Sequence, residues 1–378
     1  MEKVVIKKVQ NYNLVAIEQA LTTAFEELAL ESRFFYAGET VLIKPNLVEA
    51  VSVERAVTTH PEVLRALIRV LKPYKVKILV GDSPGYQSTL QVAKVAGIEA
   101  VCQEEAVELV DFTGVREFSN PQGKTIKRFY LAEILGKVDK VISLAKMKTH
   151  SLTGVSGAVK NLFGCVVGAS KAQFHLRMPQ QNDFAQMLIE LHQTVKPCLS
   201  IVDGIVGMEG AGPRNGTPIN SELILVGKSA LAVDKIMADL MGFAGEKMPV
   251  TRLALAQGLI SPNLKLAEAE RQLIRKFQAA NNYTSISDRL PKSLVAIAQK
   301  QLTLRPIIQA NCILCQRCLK QCPPQAIKLS GKKLQINYEQ CIRCYCCQEF
   351  CPANAISLQA GNLLKFIRYW QKLRTKNK

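Results

Sequence analysis

Apolar and charged residues alternate from Val4 to Val9, the two-residue period of a half-buried strand, and the spacing turns helical over Leu14 to Leu30. Thr40 to Leu47 is an apolar run of buried-strand length. Pro61 to Leu71 predicts a helix with its proline in the first turn, where no N–H is needed. Lys75 to Val80 reads as a strand that ends in Gly81-Asp82-Ser83-Pro84-Gly85, and Ser88 to Ala96 as the helix after it. Further strands are predicted at Val107 to Phe112, Lys140 to Ala145, Leu199 to Val202 and Glu222 to Val226, with helices at Phe184 to Gln193 and Ala230 to Met241. This alternation predicts an α/β fold over residues 1–263, a mostly parallel sheet with helices on both faces. Residues 264–306 are rich in charged helix formers and predict a helical connector. A small α+β domain is expected over 307–360 and a basic amphipathic tail over 361–378.

Charge changes this picture more than composition does. The chain carries a formal net charge of +18, and from Ile307 to Lys378 there are 12 Lys or Arg against two acids, Glu339 and Glu349. Such a balance points to an acidic protein, an anionic small molecule, an anionic membrane surface or nucleic acid, or else to a solvated basic face. Nucleic acid ranks last, because no recognised motif and little aromatic interleaving accompany the charge. No run approaches the roughly 18 uncharged apolar residues of a membrane span. The N-terminal segment has no signal-peptide pattern, so the expected location is the cytoplasm, with a peripheral place at the inner face of a membrane left open by the tail.

Nine of the twelve cysteines fall between Cys312 and Cys351, a cluster that in a reducing compartment points to metal rather than disulfides. Cys312, Cys315, Cys318 and Cys322 follow the order C-x2-C-x2-C-x3-C with Pro323 after them; Cys341, Cys344, Cys347 and Cys351 repeat it with Pro352. Three cysteines at three-residue intervals can wrap one face of a cubane, and the fourth points toward a second cluster. Structural zinc sites, the competing reading, pair C-x2-C units and lack the trailing Cys-Pro. The expected ligand sets are therefore Cys312, Cys315, Cys318 and Cys351 for one 4Fe-4S cluster and Cys341, Cys344, Cys347 and Cys322 for the other, with Cys346 a spectator or a substitute ligand. Residues 307–358 resemble the bacterial two-cluster ferredoxins, down to Ala326-Ile327 and Ala355-Ile356 after each Cys-Pro.

In the larger part, chemistry-bearing residues collect at strand ends. Lys44-Pro45-Asn46 closes one strand, Thr59-His60-Pro61 opens a helix, and Lys146-Met147-Lys148-Thr149-His150 leaves another strand toward a glycine-rich segment, Gly154 to Gly164, that contains Lys160-Asn161. Small residues and a helix start with its N–H groups aimed outward would suit an anion; an ordinary glycine-rich turn is the equal alternative. His150 and His175 are candidate acid–base groups or hydrogen-bonded structural residues. No G-x4-G-K-[ST] loop is present, and Gly210-Ala211-Gly212 lacks the third glycine of a dinucleotide fingerprint.

These strings, with Asp203-Gly204, Glu209-Gly210 and Asp234, resemble the domain of unknown function 362 family over residues 41–241, whose members often carry a fused two-cluster ferredoxin cassette. The resemblance implies a shared site built from Lys44, Asn46, His60, Asp82, Lys148, His150, Lys160 and Asn161. The expectation is a ferredoxin-linked oxidoreductase that passes electrons to an anionic substrate, with Lys148 binding charge and His150 delivering a proton. The alternative is a non-enzymatic electron carrier or cluster-assembly protein that docks an acidic partner; either way an electron donor or acceptor protein is implied.

Overall fold

The structure is a computed structural model that describes residues 2–30, 34–85, 87–168, 170–178, 180–280 and 305–359. The predicted tail and residues 281–304 of the predicted connector lie outside the described residues. The chain divides into two compact units, one of Met1–Lys171 with Gln180–Ala279 and the other of Ala172–Pro179 with Ala280–Lys378.

The first unit is organised around an eight-stranded sheet. Its strands are β1 (Val4–Lys8), β2 (Thr40–Pro45), β3 (Lys77–Asp82), β4 (Glu108–Asp111), β7 (Lys140–His150), β8 (Gly154–Ser156), β9 (Leu199–Glu209) and β10 (Thr217–Gly227). A separate hairpin, β5 (Val115–Ser119) and β6 (Arg128–Ala132), was not legible in the sequence. The order is β1-β10-β9-β7-β2-β3-β4, with β8 paired to the end of β7. From β9 to β4 every pairing is parallel, whereas β10 and β1 run antiparallel at one edge. The sheet is thus mostly parallel, as the alternation of elements predicts.

The period of two sorts β2 into two cores. Val41 and Ile43 face one side and join Ile17, Leu21 and Phe25 of helix α1 (Leu14–Glu27) and Leu64, Leu67 and Ile68 of helix α2 (Pro61–Leu71). Leu42 faces the other side with Leu79, Val141 and Cys165. Each such fully buried side chain contributes about 1.5–3 kcal/mol. Further helices are α3 (Thr89–Val95), α4 (Ile98–Glu104), α5 (Ala158–Asn161), α6 (Ser170–Arg177), α7 (Gln181–Val195), α8 (Ala230–Leu240) and α9 (Pro249–Ala256).

Two expectations change. β7 does not end at Ala145 but continues through His150, because Lys148, Thr149 and His150 pair with Ser156, Val155 and Gly154 of β8. The first part of the expected connector is not an independent helix: after a short 3-10 turn at Glu268–Leu273 it lies on the α/β unit, where the Arg275 and Phe277 amides donate to the Leu240 and Met241 carbonyls. The boundary therefore falls at Ala279 rather than 263.

The second unit contains two small antiparallel pairs, β11 (Arg305–Ile308) with β14 (Ile356–Gln359) and β12 (Ile327–Ser330) with β13 (Lys333–Ile336). Two short helices, α10 (Arg317–Lys320) and α11 (Cys346–Glu349), carry the third cysteine of each motif. Ile327, Leu334 and Ile356 pack with Cys318 and Cys347 in its core.

Candidate functional site

Each cysteine loop is wound by left-handed residues on both sides of its second cysteine: Leu314 and Gln316 around Cys315, Arg343 and Tyr345 around Cys344, at φ between 54° and 62°. This conformation is uncommon for residues other than glycine, and its repetition at matching places curls both loops in the same way. Cys322 joins Cys341, Cys344 and Cys347 around one cavity, which Tyr345 and Arg343 also line. Among the described residues lining it, Cys346 does not figure; that side chain is buried at the start of α11. The thiol of Cys318 is pushed up to about 11 by burial and then by the sulfurs of Cys351, Cys315 and Cys312, which places those four together. The amides of Ala326 and Ala355 donate to the sulfurs of Cys322 and Cys351 at 3.2 and 3.1 Å. In both halves the fourth cysteine thus receives a backbone hydrogen bond and faces the other motif. A donor set of thiols alone, in two groups of four, suits iron–sulfur cubanes, whose binding displaces the thiol protons that burial otherwise retains.

In the α/β unit, β2, β3 and β7 end side by side, and a polar network fills the carboxyl ends of the strands, where open α/β sheets bind ligands. Lys44, fully buried, contacts Asp82 Oδ1 at 2.7 Å and donates to Asn161 Oδ1 at 3.2 Å. Asp82 is held in turn by the amides of Leu47 and Ser83, both at 2.8 Å. Asn161 donates to the Lys44 carbonyl and to Ser143 Oγ, and accepts from Asn46 Nδ2. Lys148, also fully buried, donates to Asn46 Oδ1 at 2.5 Å and to the Val57 carbonyl at 2.7 Å. The expected residues Lys44, Asn46, Asp82, Lys148 and Asn161 therefore form one connected network.

The other expected residues sit differently. His60 caps α2, its Nδ1 accepting from the Glu62 amide at 3.2 Å, and its ring stacks on Tyr12 at 3.5 Å. Burial pushes its pKa down to about 4, with Asp203 opposing, so it is neutral at neutral pH. Tyr12, Lys146 and Asp203 form a neighbouring network: Lys146 donates to Tyr12 Oη and to Asp203 Oδ2, each at 2.8 Å, and Tyr12 donates to Asp203 Oδ1 at 3.0 Å. His150 is fully buried at the tip of β7, where its Nδ1 accepts from the amides of Leu152 and Thr153 at 3.0 and 3.3 Å. This is a turn-holding role rather than an open acid–base position. Lys160 is partly exposed over the rings of Phe163 and Phe184. The N–H groups at the start of α5, expected to face a ligand, are taken by the chain itself: Ala158 and Val159 donate to the two oxygens of Asp234 at 2.5 and 3.1 Å. Burial pushes that carboxyl up to about 7 against the pull of the two amides.

Sequence reasoning missed Lys171 and Ser83. Lys171, half-buried on α6, donates to Ser83 Oγ at 3.1 Å; burial lowers its pKa to about 8, with Asp82 opposing and Lys44 and Lys160 adding to the fall. Nothing in the local pattern around Lys171 distinguishes it from a surface lysine, and its partners lie 88 residues away in the chain.

Together these features define an α/β protein with a buried cationic network and an attached 4Fe-4S module. Residues 306–352 match a 4Fe-4S dicluster domain and residues 41–239 the domain of unknown function 362. The chain belongs to the domain of unknown function 362 family and is an iron–sulfur protein. A relative, the thylakoid-associated protein sll1697 of Synechocystis sp., is 32% identical over 242 residues, covering 64% of this chain and 75% of that one. Two solved structures overlap weakly. A Thermotoga maritima protein has a TM-score of 0.39 at 11% identity, covering 66% of this chain and 60% of its own. The lactate racemase apoprotein of Thermoanaerobacterium thermosaccharolyticum has a TM-score of 0.36 at 14% identity, covering 57% and 54%. This chain thus spans less than two thirds of either structure, and neither overlap is close enough to carry an argument.

Proposed function

We propose that the protein is a redox enzyme in which two 4Fe-4S clusters relay electrons from a donor protein to an anionic substrate at the lysine-rich end of the α/β sheet. The observation that carries this reading is the convergence of Lys44 and Lys171 on Asp82, a carboxylate already paired with Lys44. Bringing cations together out of water is costly, and an anion arriving beside them offsets that cost. Cys312, Cys315, Cys318 and Cys351 would hold one cluster and Cys341, Cys344, Cys347 and Cys322 the other; when bound, each cluster would supply one electron. Two such carriers match a two-electron reduction. Lys171, with its pKa near 8, is the group suited to binding the anion and giving up a proton. Lys148 and His150, the residues expected to act directly, are fully buried; in this reading Lys148 positions the network through Asn46 and His150 holds the turn after β7.

Anaerobically purified protein is expected to hold about eight iron and eight sulfide per chain. After reduction, a panel of carboxylates and phosphate esters is added and recovery of the oxidised visible spectrum is timed. At least one anion is expected to accelerate recovery, and Lys171→Ala to slow it at least tenfold, in keeping with about 2–5 kcal/mol for losing one partner of a desolvated charge pair. A panel without effect would favour the carrier or assembly reading, in which an acidic protein is the partner.

A further inference from the structure

Ser83 follows the last residue of β3 and is only 7% exposed. Its Oγ accepts from the Gly168 amide at 3.2 Å and from Lys171 Nζ at 3.1 Å. A serine oxygen has two lone pairs and one proton, so both lone pairs are engaged and the hydroxyl is left only to donate. Among the described residues no acceptor takes that proton. Asp82, the adjacent carboxylate, is held instead by Lys44 and by the amides of Leu47 and Ser83. A buried donor without an acceptor is costly, and an arriving acceptor removes that cost. There is room beside it: Gly168 has a φ of 54°, and a Cβ built there would meet nothing within 4 Å beyond its chain neighbours.

The same corner carries surplus positive charge. Lys44 and Lys160 are near enough to Lys171 to disfavour its ammonium, and Asp82 opposes them. The Cys165 thiol beside this group is pushed up to about 12 by burial and stays neutral. Three ammonium groups thus stand around one carboxylate. A carboxylate ligand would answer half of the surplus. A phosphate monoester carries about −1.5 to −2 near neutral pH and offers three acceptor oxygens, enough to receive the Ser83 hydroxyl and a Lys171 N–H together. Lys171 spends one N–H on Ser83 and has two more to give.

We propose that Ser83 and Lys171 together bind a phosphate monoester, the Ser83 hydroxyl and a Lys171 N–H donating to two of its oxygens. This names the class of anion for the lysine-rich end of the sheet and rests on the anion-binding reading of that site. Ser83 is then a specificity residue, because an obligate donor favours an unprotonated phosphoryl oxygen and disfavours a ligand group that itself donates. The competing role for Ser83 is to tie the Gly168 turn to the end of β3, which its two accepted bonds would do without any ligand.

The test is calorimetric titration of anaerobic full-length protein with inorganic phosphate and, separately, with acetate. Wild-type protein is expected to bind phosphate about tenfold more tightly than acetate, or better, and Ser83→Ala to weaken phosphate by about tenfold or more. Ser83→Thr keeps the hydroxyl and retains binding; Ser83→Cys, with its weak S–H donor, loses it. If Ser83→Ala does not fold, the comparison of Ser83→Thr with Ser83→Cys decides. A Ser83→Ala or Ser83→Cys chain that binds phosphate as the wild type does, even with a lower denaturation midpoint, leaves Ser83 only its turn-holding role and overturns the proposal. Loss of binding in Lys171→Ala alone would then keep the anion site without Ser83. Acetate bound as tightly as phosphate overturns the choice of phosphate, and a wild-type protein that binds neither overturns the anion site as well. Phosphate bound as expected, with no phosphate ester reoxidising the reduced clusters, supports the role of Ser83 and removes the redox reading.

Discussion

Gly164 is the residue against which the buried Lys44–Asp82 pair is set. A Cβ there would overlap Asp82 Oδ1 and lie 2.6 Å from Lys44 Nζ, and moving either group would disturb the buried bonds that hold it. Gly164→Ala is expected to lower stability by about 3 kcal/mol, the combined cost of overpacking and of disturbing a buried ion pair, read as a lower denaturation midpoint at an unchanged slope. Asp234 gives a prediction in pH. Its carboxyl is held near 7 in the fold, above its ordinary value of 3.8, so between these values the folded state holds more protons than the unfolded one. Stability contributed at low pH is therefore lost as pH rises toward 7. Asp234→Asn keeps an acceptor for the α5 amides and is expected to flatten that part of the stability profile; an unchanged slope counts against the carboxyl as its source. For Lys171 the sign concerns the ligand. Anion affinity should hold below pH 8 and decline above it as the ammonium loses its proton, and the decline should vanish in Lys171→Ala.

At the scale of elements, what could be read from the sequence depended on how local the cause was. The parallel strands were legible because each is a short apolar run between turn residues, and the cluster cysteines because ligation is written in their spacing. The far half of β7 was not. Lys146, Lys148 and His150 look like an exposed loop, yet each is buried, because Asp203, Asn46 and Val57 reach them from 57, 102 and 91 residues away for the two lysines, and the β8 turn encloses the histidine. Tyr12 was invisible for the same reason, being 134 residues from Lys146. Lys44, Asn46, Asp82, Lys148 and Asn161 meet in one network while His60, His150 and Lys160 stand apart from it, and the openness assumed for Lys148 and His150 was not something the sequence could encode. At α11 the difference between adjacent cysteines is local again. Cys347 lines the cavity with Cys322, Cys341 and Cys344, and Cys346 does not. Cys347→Ser is expected to lose about four iron per chain and Cys346→Ser none, measured on anaerobic protein; the reverse result would move the ligand to Cys346.

At the scale of the whole molecule the open matter is where so basic a chain works. No helix among the described residues is long and apolar enough to cross a membrane. Residues 361–378 lie outside the described residues. Leu363, Phe366, Ile367, Trp370 and Leu373 recur at three- and four-residue spacing, and Lys365, Arg368, Lys372, Arg374, Lys376 and Lys378 accompany them without an acid. Such a stripe can rest on the protein's own core or in the surface of an anionic bilayer, where tryptophan favours the interface and each nearby cation adds about 1 kcal/mol. We propose the bilayer surface for this tail, because its tryptophan and its acid-free run of cations suit that boundary. Full-length protein is expected to sediment with anionic liposomes at low salt and to be released at high salt, because screening removes the cationic share of the attraction. A chain ending at Gly361 should stay in the supernatant under both conditions. Equal recovery of the two chains in the supernatant would place the stripe on the protein instead, and the 4Fe-4S module would then meet its partners in solution.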